Sequence, residues 1–164
     1  MVRLRTGDRR YERGRLRRPG DGSVARGAGG YYRAGLVYVV PGPIGAGEPA
    51  LSEAATTTVA GASWLDQAGL AVAIGDYNRD ELKDLVILSG EGAYVLNGPL
   101  KAGRYSLRKY SDVVYLGLPK STRGSGGAMG DINDDGISDL IVGSPVDTVN
   151  GSVSAGRVYV ILGE

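Results

Sequence analysis

The 164-residue chain contains no cysteine, no histidine and no phenylalanine. Without Cys no disulfide can form, and the redox compartment leaves no trace in the sequence. Without His, the usual general base, the usual pH switch and the commonest transition-metal ligand are missing. Ser-His-Asp catalysis, Cys-His catalysis and His-metal sites are therefore excluded by composition. The longest apolar runs are about five residues, far short of a membrane span. The basic N-terminus lacks the apolar core of a signal peptide. Gly-rich stretches such as Gly124–Gly127 lack the Lys-Ser/Thr of a phosphate loop. No nucleic-acid motif stands beyond an Arg-rich beginning, whose one interleaved aromatic is Tyr11. No nucleic-acid partner is expected.

Glycine is abundant, at 28 residues, and Tyr is the main aromatic. Many short apolar runs between turn residues predict strands rather than helices. The net charge of +1 hides an asymmetry: residues 1–35 carry ten Arg against three acids, and the remainder is acidic.

The informative stretch is Gly130–Pro145, GDINDDGISDLIVGSP. Asp131, Asn133, Asp135 and Asp139 occupy positions 1, 3, 5 and 9 of a nine-residue loop, with Gly136 at position 6. This is the oxygen-ligand spacing of a calcium loop, in which Ile137 at position 7 offers its backbone carbonyl. An EF-hand would place Glu at position 12, where this chain has Val142. The alternative is an Asx-rich turn held by side-chain to backbone hydrogen bonds, although gathered carboxylates without a cation repel one another.

The loop recurs upstream in Gly75–Leu88, GDYNRDELKDLVIL, where Asp76, Asn78, Asp80 and Asp84 repeat the spacing and Leu82 offers the carbonyl. Glu81 stands where Gly is expected. Arg79 and Lys83 are placed to replace part of a cation's charge, which is the metal-free alternative for this copy. Each loop is followed by a further apolar strand, Ala93–Leu96 or Val158–Leu162, and Leu36–Val40 is a third such strand. Recurrence at this period means stacked supersecondary units such as propeller blades.

These residues resemble the FG-GAP repeat family, the blade units of integrin-α-like β-propellers. Gly126–Asp131 (GGAMGD) resembles its "FG" end and Gly143-Ser144-Pro145 its "GAP" end, and Gly69–Asp76 (GLAVAIGD) corresponds in the earlier copy. The resemblance covers residues 29–164. It implies an all-β fold, a partial β-propeller that is a fragment of a seven-bladed-type propeller. A closed propeller needs about four to eight four-stranded blades, of which this chain supplies two to three. The expected divisions are a partial blade at 29–63, a blade at 64–118 and an incomplete blade at 119–164. Expected strands include Ala55–Ala62 as the outer strand of the first blade and Val113–Leu116 as that of the second. The incomplete blade is expected to lack its outer strand. Trp64 is expected in the core between the first two blades, and the side chains of Leu82 and Ile137 are expected to pack. Asn150-Gly151-Ser152 matches a glycosylation sequon in an exposed loop.

Residues 1–28 show no apolar periodicity. They read as a disordered basic tail or, up to about 22–26, as an out-of-frame segment. One possible coding of Tyr11–Asp21, read one base later, gives Thr-Asn-Gly-Asp-Gly-Tyr-Asp-Asp-Leu-Val, the missing loop of the first repeat. Its phase agrees, since Tyr38 follows position 10 by the 28 residues that separate Tyr159 from Asp131.

The resemblance implies a non-catalytic, calcium-binding module of extracellular binding or cell adhesion, in which Ca2+ is structural. Its partners would be further blades and a protein or carbohydrate ligand at the propeller surface. It implies an extracellular or cell-surface location, without a membrane span in this chain. The other readings are an accessory propeller of a secreted hydrolase or carbohydrate-binding protein, and a gene remnant.

Overall fold

The computed structural model describes residues 3–6, 31–43, 47, 49–117 and 126–163. They form three sheets stacked face to face. The first holds β1 (Arg3–Thr6), β2 (Leu36–Val40), β3 (Thr57–Ala60) and β7 (Gly103–Ser106), in that order. The second is a meander of β4 (Ala71–Gly75), β5 (Asp84–Leu88), β6 (Gly92–Leu96) and β8 (Val113–Leu116). The third runs β9 (Gly126–Gly130), β10 (Asp139–Ser144) and β11 (Arg157–Ile161). Two single-turn helices, α1 (Leu51–Ala54) and α2 (Leu107–Tyr110), lie in connections. No helix among the described residues is long and apolar enough to cross a membrane. The architecture is all-β and is that of partial propeller blades.

The middle sheet explains the stack. Every residue of β5 and β6 is buried, which a strand with one wet face cannot show. Successive side chains point to opposite faces. Leu85, Ile87, Tyr94 and Leu96 join Val37 and Val59 of the first sheet. Val86, Leu88, Ala93 and Val95 join Leu140 and Val142 of the third. Sheet-to-sheet approach is tight at Gly127, where an added Cβ would stand 2.9 Å from Leu88 Cδ1. The continuous apolar run DLVIL is thus a two-sided core strand, not an alternating one.

Two features depart from expectation. β3 is not the edge of the first sheet, because β7 leaves the second repeat after β6 and pairs with β3 in parallel, Thr58 opposite Arg104 and Ala60 opposite Ser106. The sequence GRYS is too short and polar to announce a strand. Trp64 is 67% exposed and not in the core; its ring lies 6.1 Å from Tyr32 on the surface. Ala68 and Leu107, smaller or more deeply placed, fill the interface instead.

Arg3–Thr6 falls in the stretch read as a tail or as out of frame, and its backbone pairs antiparallel with β2, Arg3 opposite Val40. Residues 7–30, which carry the rest of that reading, lie outside the described residues, as does the junction at 118–125.

A buried acid fastens the first two sheets. Asp66, 2% exposed, accepts hydrogen bonds from the N–H groups of Ala62 (2.7 Å) and Ser63 (2.8 Å), from Ser63 Oγ (2.6 Å) and from Arg108 of α2 (3.1 Å). Arg108 also pairs with Glu91 in the β5–β6 hairpin. Burial pushes the Asp66 carboxyl up, but the hydrogen bonds from Ser63, Arg108 and the two N–H groups outweigh it and hold it below the ordinary carboxylate value. The hydrogen bonds to Asp66 and Glu91 raise the Arg108 guanidinium.

Candidate metal centre

Each repeated loop joins the first two strands of its sheet: residues 76–84 link β4 to β5, and 131–139 link β9 to β10. The β pairing fixes both ends, since Gly75 faces Asp84 and Gly130 faces Asp139. Between these anchors the chain must turn within a few residues. It does so with left-handed backbone at positions 4 and 6, φ +60° and +64° at Arg79 and Glu81, and +61° and +85° at Asp134 and Gly136.

The two loops close by the same hydrogen bonds. Asp131 Oδ1 accepts from Asp135 N–H (3.1 Å) and Oδ2 from Gly136 N–H (2.8 Å); Asp76 accepts from Asp80 N–H (3.1 Å) and Glu81 N–H (2.9 Å). Asp135 Oδ1 accepts from Ile137 N–H, and Asp80 Oδ1 from Leu82 N–H, both at 2.8 Å. Asn133 Nδ2 donates to Asp135 (2.7 Å), and Asn78 Nδ2 to Asp80 (2.9 Å). Replacement of Gly by Glu81 therefore leaves the fold of the earlier loop intact, at the expense of a side chain held in the left-handed region.

Position 9 plays a part that spacing does not reveal. Asp84 and Asp139 are fully buried. Asp139 Oδ2 accepts from Ile132 N–H (2.8 Å) and Oδ1 from Gly163 N–H (3.0 Å). Asp84 does the same with Tyr77 N–H and Gly98 N–H, both at 2.8 Å. Each carboxylate ties its loop to the glycine two positions past the third strand. The glycine there is dictated by space: an added Cβ on Gly98 would stand 2.2 Å from the Lys83 carbonyl, and one on Gly163 2.5 Å from Ile137 Cγ2. The Gly after each apolar third strand was the available signal.

The loops lie side by side at one rim. Ser138 N–H donates to the Asp76 carbonyl (2.8 Å), and Asp76 N–H donates to Ser138 Oγ (3.2 Å). This contact, with Gly163, buries Ile137 as expected. The Leu82 side chain, expected to pack as well, is instead 43% exposed. Its counterpart neighbour would come from a loop of the first sheet, and none is present among the described residues.

The donor set is all oxygen. In the 131–139 loop positions 1, 3 and 5 are exposed and face outward from a buried base. Three carboxylates, an amide and a carbonyl per loop suit a hard cation such as calcium, which takes about 6–8 oxygens. Among the described residues no three Asp, Glu, His or Cys side chains stand together as a metal cluster; the loop set relies on Asn and a main-chain oxygen, and its position 9 turns inward.

Part of the chain is similar to known proteins. Residues 123–161 match the FG-GAP repeat model. Over 104 residues, 57% of this chain, the sequence is 26% identical to integrin alpha-PS2 of Drosophila melanogaster. The chain spans 7% of the length of that relative.

Proposed function

We propose that this chain, which carries an FG-GAP repeat at residues 123–161, is a calcium-stiffened propeller module of extracellular or cell-surface adhesion. The carrying observation is the pair of loops with one hydrogen-bond plan, stitched together at one rim. Asp131, Asn133, Asp135, Asp139 and the Ile137 carbonyl would hold one cation; Asp76, Asn78, Asp80, Asp84 and the Leu82 carbonyl would hold another. A bound cation neutralises the gathered carboxylates and fixes the rim, a structural role for the metal.

Further blades are the first partners under this reading. On the third sheet Ile141, Val158, Val160 and Leu162 point away from the middle sheet, and Val158 is 64% exposed. That face matches in kind the one the middle sheet presents to its neighbours, so another blade packing there completes the stack. The adhesive partner is a macromolecule bound at the propeller surface.

The test is a calcium titration followed by melting temperature and calorimetry, on the wild type and on Asp135→Ala. Calcium at about 100 times its Kd stabilises by about 2.7 kcal/mol, and the variant should lose the 131–139 part of that gain. An unchanged melting temperature in saturating calcium sinks the assignment.

A further inference from the structure

The parallel pair β3–β7 creates a second feature of chemical interest. Its strands end together, and α2 follows β7 at once. An open cleft of about 450 Å³ lies there, within the size range of ligand sites. Thr58 and Arg104 stand opposite each other on its floor, Ser106 lies beyond, and Tyr31, Lys109 and Tyr110 form the walls.

The cleft carries two cations, in a stretch between Glu91 and Asp112 that holds Lys101 and Arg108 as well and no acid. Neither Arg104 nor Lys109 is in an ion pair among the described residues. Lys109 Nζ lies 5.1 Å over the Tyr110 ring, and Tyr110 stands edge-on to Tyr105 with centroids 5.2 Å apart, so the wall is held in place. The hydroxyls of Tyr31, Thr58, Ser106 and Tyr110 have no hydrogen-bond partner among the described residues. Such hydroxyls both donate and accept. Exposed phenol rings offer flat apolar faces beside them, and Arg and Lys offer charge-assisted bonds to an anion.

We propose that this cleft binds an anionic sugar unit of a glycan chain, through a carboxylate or sulfate on Arg104 and Lys109 and sugar hydroxyls on the four protein hydroxyls. A polyhydroxylated ring uses all of these groups. An oligo-glutamate peptide offers carboxylates to the cations and backbone groups to the hydroxyls, but it brings no ring to lie against the phenol faces. The proposal names a ligand class for the adhesion reading and rests on it.

The test is titration of the full chain with a sulfated hexasaccharide, a uronate-containing unsulfated hexasaccharide, a neutral maltohexaose and an oligo-glutamate peptide. It is run in EDTA, so that failure of the calcium reading leaves the result intact. Binding of either anionic sugar over the neutral one and over the peptide supports the site, and the better of the two identifies the anion. Arg104→Ala with Lys109→Ala should weaken it on the order of tenfold or more, and so should added salt, which screens an exposed site. Both side chains are exposed, so the variant should melt like the wild type; Tyr110→Ala gives an independent reduction. Absence of sugar binding, equal binding of the neutral sugar or the peptide, or full binding by the double variant overturns the proposal.

Discussion

Ser138 and Asp76 exchange two hydrogen bonds across the blade boundary, N–H to carbonyl at 2.8 Å and N–H to Oγ at 3.2 Å. The second ends on a side chain, so mutation can remove it alone. Ser138→Ala leaves the Asp76 N–H without its partner and should cost about 1 kcal/mol in urea denaturation. Because Asp76 opens the earlier loop, the same variant should also lower the calcium response of that loop while Asp131 and Asp135 remain in place.

The acids of one loop should not be equivalent when metal is absent. Asp139 is buried and satisfies two N–H groups, whereas Asp131 is exposed. In EDTA, Asp139→Ala should destabilise by about 1–3 kcal/mol for each orphaned N–H. Asp131→Ala, whose N–H partners can turn to water, should cost less. Equal costs in chemical denaturation would show that the buried anchor is not what holds the loop.

Position 6 separates the two loops by backbone energetics alone. Glu81 has φ +64° and Gly136 φ +85°. Glu81→Gly should stabilise the chain by about 1 kcal/mol, since a side chain in that region costs about 1–2 kcal/mol. Gly136→Ala should destabilise by a similar amount, although open space surrounds it. Opposite shifts in melting temperature are the expected result.

Asp66 should give the fold an acid limb. Its carboxyl is held below its ordinary value of 3.8. A depressed acid contributes stability above its unfolded pKa and loses it as pH falls through the folded one. Wild-type stability should therefore decline as pH drops below about 4. Asp66→Asn should be less stable at neutral pH by about 1–3 kcal/mol, since it weakens a buried hydrogen-bonded acceptor, and should show a flatter decline. The exposed Arg108 left behind can hydrate, which limits the loss.

Much of the fold was legible because local signals agreed. Asp-x-Asn-x-Asp followed by an apolar run marked both loops, and the strands expected at Ala93–Leu96, Val113–Leu116 and Val158–Leu162 lie within about one residue of those bounds. What escaped was set by distant neighbours. β7 is a strand only because β3 offers an edge, so Gly103–Ser106 carries no pattern of its own. Trp64 was expected in the core from its place between two blades, yet the interface was filled by Ala68 and Leu107. Leu82 and Ile137 occupy the same loop position, and only the presence of Ser138 and Gly163 beside one of them buries it. The inward role of Asp84 and Asp139 depends on Gly98 and Gly163, residues more than a dozen positions away.

The parallel pairing of β7 with β3 also dictates how the molecule comes apart. Thr57 meets Gly103, and the intervening chain contains β4, β5 and β6. These strands sit inside a closed loop and cannot peel away while its clasp holds. Among the described residues the third sheet has no such enclosure; an apolar face, the stitch at Ser138 and a hydrogen bond from the Tyr77 hydroxyl to the Leu162 carbonyl (3.4 Å) attach it. Pulling or heating should release it first, leaving the first two sheets to melt in a single step. A cooperative unit larger than the sequence repeat is the expected result, in which a cut between residues 63 and 64 should unfold both sheets together.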